Sequence, residues 1–180
     1  MRYKAYIQQR PMLKAIKSAN KEDVVKIEKI ILQVISDAHK KVDSKIVKKY
    51  KESVLRVVEK KEPDTSQHYV VTRNDDKEVI GYLGHRKCTK ALLSFTYTAQ
   101  PLEINALYVE KEEQNKGIGN QMIQYIRVQA GEKRYTEIIL RSGIEFKESS
   151  WGFYEHLGFE YLDMVTDEDE HEYAVFRYRL

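Results

Sequence analysis

The chain has 180 residues, of which 42% are hydrophobic and 33% charged, and its formal net charge is +3. This size and composition predict one globular domain over residues 1–180 with its own apolar core. The single cysteine excludes an internal disulfide and a cysteine-based zinc site, and no stretch approaches the roughly 18 apolar residues of a membrane span. We therefore expect a soluble cytoplasmic protein with no metal and no membrane partner.

The positive charge is concentrated in the first third of the chain. Residues 1–62 hold 17 Lys and Arg against 8 Asp and Glu, whereas the remainder is acidic. Lysines spread along predicted helices more often form a solvated helix face than a nucleic-acid footprint. Nucleic-acid binding is therefore the less favoured function, and it would require salt-sensitive binding to DNA or RNA. The basic face could also contact the acidic part of a second copy.

The N-terminal part predicts a strand followed by two helices. Residues 11–18, PMLKAIKS, alternate apolar and polar side chains, and Asn20 is a good helix N-cap with Asp23 three residues later. Apolar residues then recur at spacings of three and four over 24–39 and again over about 43–60. The loop EPDTS ends the second helix.

The middle of the chain predicts strands. The segments HYVVTRN, EVIGYLGHRKC and ALLSFTYT are short and rich in β-branched and aromatic residues, and NDDK between the first two suits a hairpin turn. These three segments predict antiparallel strands. LEINALYVE predicts a further strand, which leads into the turn QNKGIG.

The last third predicts alternating helices and strands. After QNKGIG, an apolar stripe indicates a helix with Gly131 as its C-cap. EIILRS predicts a buried strand, and SSWGFYEHLGF predicts a short helix that ends at Gly158. YAVFRYRL predicts a closing strand after the acidic run DEDEHE.

The turn QNKGIG at residues 114–119 places two glycines at the start of a helix. Unpaired backbone N–H groups at the positive end of a helix dipole attract phosphate. A dinucleotide-binding G-x-G-x-x-G motif would need glycine at position 122, where this chain has Met122. A P-loop, G-x-x-x-x-G-K-[ST], would need lysine directly after its second glycine, whereas Gly117 is followed by Ile118. Both familiar phosphate motifs are excluded, which leaves another phosphate-bearing ligand or a tight turn alone.

The pattern Q-x-x-G-x-G of Gln114, Gly117 and Gly119 resembles the acetyl-coenzyme A segment of the GNAT superfamily of N-acetyltransferases. A second segment, FYEHLGF at 153–159, resembles the family's F-Y-x-x-x-G-F. The order of elements is also the family's, so the resemblance covers nearly the whole chain and is most specific over 101–162. It implies an α/β (α+β) fold: a GNAT-like mixed, mostly antiparallel central sheet of six to seven strands flanked by about four helices.

The resemblance implies acetyl-CoA as cosubstrate. Backbone amides of the QNKGIG turn would hold its pyrophosphate, and the strand before the turn would pair with the pantetheine arm, with an amide near Leu107 polarising the acetyl carbonyl. The family often has asparagine where this chain has Lys147, and Ser149 or Ser150 would replace part of that hydrogen bonding. The implied coenzyme-binding residues are Leu107, Tyr108, Val109, Gln114, Asn115, Lys116, Gly117, Ile118, Gly119, Asn120 and Ser150.

The resemblance also implies two catalytic residues. Tyr154 matches the tyrosine that protonates the departing thiolate, a task that suits a phenol with a pKa near 10. Its alternative role is aromatic packing. Glu103 lies on the strand before the turn, an even number of positions from Leu107, so the two side chains point to the same face of the strand. It is the candidate general base, and its alternative role is that of an exposed strand carboxylate. Cys88 lacks a neighbouring base and is not expected to act as a nucleophile.

The predicted function is transfer of the acetyl group to a primary amine by direct attack in a ternary complex. The acceptor would be a small amine such as a polyamine or an aminoglycoside, or a protein amine. If the acidic residues 167–170 face the acceptor, they would concentrate a cationic one; the alternative is a solvated turn. The alternative prediction is an acyl-CoA-binding sensor or interaction module that has the same fold and has lost catalytic turnover. Homodimers are frequent in the family.

Overall fold

The structure, a computed structural model, describes residues 16–38, 44–58 and 68–180. Within these residues the chain forms seven strands and five helices. The strands are β1 Lys17–Ser18, β2 His68–Arg73, β3 Val79–Lys87, β4 Pro101–Val109, β5 Glu137–Gly143, β6 Glu160–Thr166 and β7 Glu172–Arg179. The helices are α1 Asp23–Ala38, α2 Ser44–Val58, α3 Lys90–Leu93, α4 Ile118–Glu132 and α5 Gly152–His156. None of the described helices is long and apolar enough to cross a membrane.

The seven strands form one mixed sheet in the order β1-β2-β3-β4-β5-β7-β6. The pairs β1–β2, β5–β7 and β6–β7 are antiparallel, whereas β4 and β5 run parallel. This confirms the predicted α/β (α+β) fold with its mixed, mostly antiparallel sheet of six to seven strands. The described helices number five rather than about four because the short α3 was not predicted.

The parallel pairing between β4 and β5 is short. It joins Pro101–Ile104 to Glu137–Leu140, and β4 then continues to Val109 while β5 continues to Gly143. The part of β4 that carries the predicted coenzyme-binding residues Leu107 to Val109 therefore lies beyond its register with β5.

The described residues fall into two compact units. The first contains the described residues up to Gly84 together with Ala106–Val128. Its buried core includes the apolar stripe of α1 and side chains from α2, β2, β3 and β4. The members are Val24, Ile27, Ile30, Ile31, Ile35, Val54, Tyr69, Val71, Val79, Tyr82 and Ala106. The predicted amphipathic pattern of α1 is thus confirmed.

Asn20 caps α1, as its sequence position predicts. Its Oδ1 accepts the backbone N–H groups of Glu22 at 2.8 Å and Asp23 at 3.2 Å, while Asp23 Oδ2 accepts the N–H of Asn20 at 2.8 Å. This reciprocal pair is a capping box, and it satisfies donors that a helix leaves without intrahelical partners. Arg73 of β2 donates to Asp23 Oδ1 at 2.5 Å and so ties the cap to the sheet.

The second unit contains His85–Asn105 and Gln129–Leu180. Side chains alternate between the two faces of the sheet along β5 and β7, and directly opposed residues of these antiparallel strands share a face. Leu140 lies opposite Phe176, and Arg141 lies opposite Val175. The face of Phe176 carries an aromatic cluster with α5, whereas the face of Val175 packs against Cys88, Leu92 and Ile139.

The predicted strand ALLSFTYT is wrong. Its first residues belong to α3, and turns follow. Side chains far along the chain satisfy its backbone, since the Glu137 carboxylate accepts the N–H of Tyr97 at 2.9 Å and Arg177 donates to the carbonyl of Phe95 at 3.0 Å. Leu92 is buried and anchors the segment. Apolar and β-branched composition alone could not distinguish this arrangement from a strand.

The predicted cap of α4 at Gly131 is also wrong. The helix continues to Glu132, and Arg134 adopts the left-handed conformation with φ of 61°. The N–H of Tyr135 bonds to the carbonyl of Ala130 at 2.9 Å, which is the pattern of a Schellman cap one turn later. Gly158, with φ of 83°, does end the α5 region as predicted. Residues 11–15 of the predicted first strand and the loop EPDTS lie outside the described residues.

Candidate functional site

In the first unit, β4 ends at Val109 and a short 3-10 turn, Lys111–Glu113, leads to the QNKGIG segment. The N–H of Glu110 bonds to the carbonyl of Ile80 at 2.8 Å, which fixes the end of the strand. Gln114 Nε2 then donates to the carbonyl of Val109 at 3.1 Å. The side chain of Gln114 therefore closes the turn and links the end of β4 to the segment that leads into α4.

Two residues of the turn have positive φ. Asn115 has φ of 60° and Gly117 has φ of 83°. Asparagine tolerates this left-handed region better than most residues, and glycine enters it freely. A Cβ on Gly117 would meet nothing within 4 Å, so the position needs glycine for its backbone conformation rather than for space.

The start of α4 presents unsatisfied backbone donors. The first helical bond joins the N–H of Gln121 to the carbonyl of Gly117 at 3.1 Å, so the amides of Ile118, Gly119 and Asn120 have no acceptor within the helix. No acidic residue occupies the first turn of α4. Converging N–H groups at the positive end of a helix dipole suit a phosphate or pyrophosphate. The structure brings the predicted residues Gln114 to Asn120 together in this one turn.

Helix α1 braces the loop that precedes the turn. Lys26 Nζ lies 2.5 Å from Glu110 Oε1, and this hydrogen bond raises the pKa of Lys26. Gln33 Nε2 donates to Glu112 at 3.2 Å, and its Oε1 accepts the N–H of Lys111 at 3.2 Å. Local sequence patterns could not reveal these contacts because they join residues more than seventy positions apart.

The side chain of Tyr108 belongs to the core of its unit. Its ring stacks on that of Tyr82, with centroids 5.4 Å apart and planes at 19°. A Cβ on Gly81 would lie 3.1 Å from the carbonyl oxygen of Tyr108, so β3 approaches the backbone of β4 closely here. Leu107 and Val109 alternate to the other face of the strand. Any contribution of Tyr108 to coenzyme binding therefore comes from its backbone.

Tyr154 lies in the second unit on α5, in the aromatic cluster. It is 7% exposed, and its ring centroid lies 5.5 Å from that of Phe176 and 5.8 Å from that of Phe159. Burial raises the pKa of Tyr154 well above its ordinary value. The hydroxyl is therefore protonated at neutral pH, which suits a proton donor and excludes a phenolate base.

Ser150 lies in the π-helical stretch Lys147–Trp151 that precedes α5. Its Oγ is 2.8 Å from Ser142 Oγ and donates to the carbonyl of Phe146 at 3.0 Å. The hydroxyl thus has two partners within its own unit. Lys147, at the position of the family's asparagine, places Nζ 5.4 Å from the ring centroid of Trp151. The coenzyme-binding role of Ser150 stays a prediction.

Glu103 is not the accessible carboxylate that the sequence suggested. It is 2% exposed, its Oε1 accepts from Arg86 at 2.6 Å and its Oε2 accepts the N–H of Thr89 at 2.9 Å. Both oxygens are engaged and neither is open to an incoming amine. This geometry is that of a buried ion pair that fastens the segment before α3 to β4, and it argues against a general base.

Cys88 has no nucleophilic character in this setting. It is buried beside Leu92 and Ile139, and desolvation raises the pKa of its thiol to about 12. The nucleophile is the thiolate, which is scarce at neutral pH when the pKa is this high. The expectation of direct transfer, without a covalent cysteine intermediate, is consistent with this environment.

The acidic turn between β6 and β7 is organised by Asp167. Its Oδ1 accepts the N–H groups of His171 and Asp169 at 3.0 Å, and its Oδ2 accepts the hydroxyl of Tyr173 at 3.1 Å. These bonds, that from His171 first, lower the pKa of Asp167. The Asp167 carboxylate is therefore committed to the turn, whereas Glu168 and Glu170 are exposed.

The family model described as the acetyltransferase (GNAT) family matches residues 32–159 of this chain. No curated protein matches the chain in sequence. Among solved structures, the chain is similar to a PaiA N-acetyltransferase from Thermoplasma acidophilum in complex with coenzyme A, with 16% identity and a TM-score of 0.66, covering 91% of this chain and 98% of that chain.

Two further solved structures have the same fold. An N-acetyltransferase from Staphylococcus aureus Mu50 is 18% identical with a TM-score of 0.67, covering 91% of this chain and 96% of that one. An aminoglycoside 6'-N-acetyltransferase complexed with coenzyme A is 12% identical with a TM-score of 0.62, over the same shares of the two chains. At these identities the similarity shows a common fold.

Proposed function

Because the chain belongs to the acetyltransferase (GNAT) family, we propose that it transfers the acetyl group of acetyl-CoA to a primary amine by direct attack in a ternary complex. The observation that carries this proposal is the start of α4, where three successive amides lack helical acceptors beside a glycine with φ of 83°. A helix start of this kind, after a strand, is built to receive an anionic phosphate group.

In this proposal the amides of Ile118, Gly119 and Asn120 bind the pyrophosphate of the coenzyme. The exposed Lys116 adds positive charge, although Glu113 pairs with it at 3.1 Å. The pantetheine arm pairs with the backbone around Leu107, beyond the register of β4 with β5. The carbonyl of Val109 already accepts from Gln114, so the arm uses the other backbone groups of this stretch.

The chemical step needs a nucleophilic amine, an oxyanion donor and an acid. The amine nitrogen forms a bond to the thioester carbonyl carbon, and the developing oxyanion accepts a backbone N–H near Leu107. The carbon–sulfur bond then breaks, and the hydroxyl of Tyr154 gives its proton to the sulfur. At neutral pH the hydroxyl of Tyr154 carries the proton that this step needs, although burial, which raises its pKa, makes it a weaker acid than an ordinary phenol.

The proton of the amine requires a separate acceptor. Glu103 was the candidate from the sequence, but its oxygens are held by Arg86 and Thr89. We therefore assign Glu103 a structural role and propose that water removes the proton of the attacking amine. The acceptor is a small-molecule or protein amine. A buried, unpaired Cys88 suits the reducing cytoplasm.

One experiment tests the proposed function in two readouts. Saturating acetyl-CoA is expected to raise the melting temperature, since a ligand held only by the native state stabilises it. Thiol release is then measured with a panel of amines, with mass detection of each acetylated product. An unchanged melting temperature would overturn the coenzyme assignment.

The same experiment distinguishes the second candidate, an acyl-CoA-binding sensor or interaction module. The observation that favours it is the buried Glu103, which leaves the site without the expected carboxylate base. Coenzyme stabilisation without acetylation of any amine would support the sensor. Stabilisation with turnover supports the enzyme.

A further inference from the structure

The loop between β4 and α4 is rich in acidic residues, although it leads into the proposed phosphate site. Residues 110–117, EKEEQNKG, contain three Glu and two Lys, so their net charge is −1. A carboxylate near the positive end of a helix dipole opposes the binding of an anionic ligand there. The carboxylates of Glu110, Glu112 and Glu113 must therefore be neutralised or held aside if the start of α4 is to accept a pyrophosphate.

Two contacts fasten this acidic loop to the QNKGIG turn within the same compact unit. Gln114 Nε2 donates to the carbonyl of Val109 at 3.1 Å, next to Glu110 in the chain. Lys116 Nζ donates to Glu113 Oε1 at 3.1 Å. Glu113 is thus neutralised by a lysine of the turn itself.

Helix α1 supplies partners for the other two carboxylates. Lys26 Nζ donates to Glu110 Oε1 at 2.5 Å, and Gln33 Nε2 lies 3.3 and 3.2 Å from the two oxygens of Glu112. Lys26 and Gln33 are seven positions apart, which is about two helical turns, so they lie on one face of α1. Gln33 Oε1 also accepts the N–H of Lys111 at 3.2 Å.

The two α1 side chains act on the loop in different ways. Gln33 is neutral and can only orient its partners, whereas Lys26 brings one positive charge to a loop whose net charge is −1. The side chains of Lys26 and Glu110 are 32% and 23% exposed, so solvent screens this pair less than a fully exposed one. The hydrogen bond to Glu110 is the first cause that raises the pKa of Lys26, so the ammonium is charged at neutral pH.

We infer that Lys26 is a positioning residue for the coenzyme: its ammonium holds and neutralises Glu110, so that the acidic loop does not repel a pyrophosphate at the start of α4. Gln33 assists by holding Glu112 and the backbone of the loop. This inference rests on the proposed function and adds to it a residue that acts through Glu110 rather than by touching the coenzyme. The affinity for coenzyme A then depends on a charge carried by a different helix from the one that binds it.

The test measures this charge effect as a change in the dissociation constant of coenzyme A by isothermal titration calorimetry. Lys26→Met keeps the apolar stem of the lysine and removes its charge. The variant is expected to bind coenzyme A roughly three- to tenfold more weakly than wild type at about 50 mM salt. At about 500 mM salt, where exposed charges are screened within a few ångströms, the two dissociation constants are expected to agree within about twofold.

A charge rescue separates neutralisation from simple bracing of the loop. Glu110→Gln keeps an oxygen that can accept from Lys26 but removes the carboxylate, so it is expected to bind coenzyme A at least as tightly as wild type. Lys26→Met/Glu110→Gln restores the net charge of wild type and is expected to regain its affinity within about twofold. A residue that only braced the loop would give no such rescue.

Lys51→Met is the matched control for removing a lysine beside α1. Lys51 Nζ lies 2.7 Å from Glu28 Oε2 of α1, and these two side chains are 39% and 26% exposed, much as in the pair of Lys26 and Glu110. Its partner lies on α1 and not in the acidic loop. This control is expected to leave the dissociation constant of coenzyme A unchanged.

The outcomes distinguish this inference from the proposed function. If wild type binds coenzyme A but Lys26→Met binds it equally well at low salt, the inference is wrong and the proposed function stands. The same holds if Glu110→Gln binds it more weakly than wild type, if the double variant shows no rescue, or if the difference persists at high salt. If coenzyme A does not bind wild type, the proposed function fails and the inference fails with it. A cooperative thermal transition of each variant without coenzyme confirms that it is folded.

Discussion

Gln114 donates a hydrogen bond from Nε2 to the backbone carbonyl of Val109 at 3.1 Å. This bond joins the end of β4 to the start of the QNKGIG turn, five positions later, and so it holds the two parts of the proposed coenzyme site in register. The motif glutamine is therefore a positioning residue for the loop, and its amide need not touch the coenzyme to matter for binding.

Gln114→Ala is expected to weaken acetyl-CoA binding by roughly fivefold, which corresponds to the loss of about 1 kcal/mol for one neutral hydrogen bond. Isothermal titration calorimetry provides the dissociation constant. Gln129→Ala is the control, since the Gln129 side chain donates to Glu132, three positions later in α4. Equal dissociation constants for Gln114→Ala and the control would refute the positioning role.

Gly117→Ala and Gly131→Ala form a matched pair, because a Cβ at either site would meet nothing within 4 Å. Gly117 has φ of 83°, so alanine there is expected to cost about 1 kcal/mol of unfolding free energy and to weaken coenzyme binding. Gly131 lies within α4, where alanine is expected to add up to about 1 kcal/mol. Urea denaturation measures both; changes of the same sign would contradict the conformational explanation.

Tyr154→Phe is expected to lower kcat by roughly 100-fold or more, the usual contribution of a positioned acid, with little change in coenzyme affinity. Tyr161→Phe, a more exposed member of the same aromatic cluster, is the control. The acid must be protonated to act, and the pKa of Tyr154 is raised, so kcat should not decline as pH approaches 10, where an ordinary tyrosine ionises. Full activity of Tyr154→Phe would exclude the acid role.

Glu103→Gln is expected to destabilise the fold by about 1–3 kcal/mol, because it leaves Arg86 without its charged partner. If Glu103 is structural, kcat per folded molecule changes little. A large fall in kcat at unchanged stability would restore the general base. The double variant Arg86→Met/Glu103→Gln should recover part of the stability, since breaking one side of a buried pair costs more than removing both.

Sequence patterns correctly predicted the parts of the molecule that depend on interactions between residues close together in the chain. The apolar stripe of α1, the Asn20 cap and the turn at Gly117 follow from the spacing of a few neighbouring residues. The burial of Glu103 does not, because it depends on Arg86 and Thr89 from another segment. The segment ALLSFTYT was misassigned for the same reason: Glu137 and Arg177 satisfy its backbone only after the chain has folded.

The residues missed from the sequence are those whose importance comes from a distant partner. Lys26 and Gln33 of α1 contact Glu110 and Glu112, in the loop that precedes the QNKGIG turn. The linear order of the chain does not show which of these side chains meet.

The brace between α1 and the loop after β4 has a thermodynamic consequence. Lys26 and Gln33 bond to Glu110 and Glu112, so the order of this loop is coupled to the position of the helix. Linkage is reciprocal: a ligand that favours the ordered loop must also favour the position of α1 that makes these contacts, by the same free energy. A substitution on the outer surface of α1, far from any reacting atom, would then change the affinity of the protein for the coenzyme.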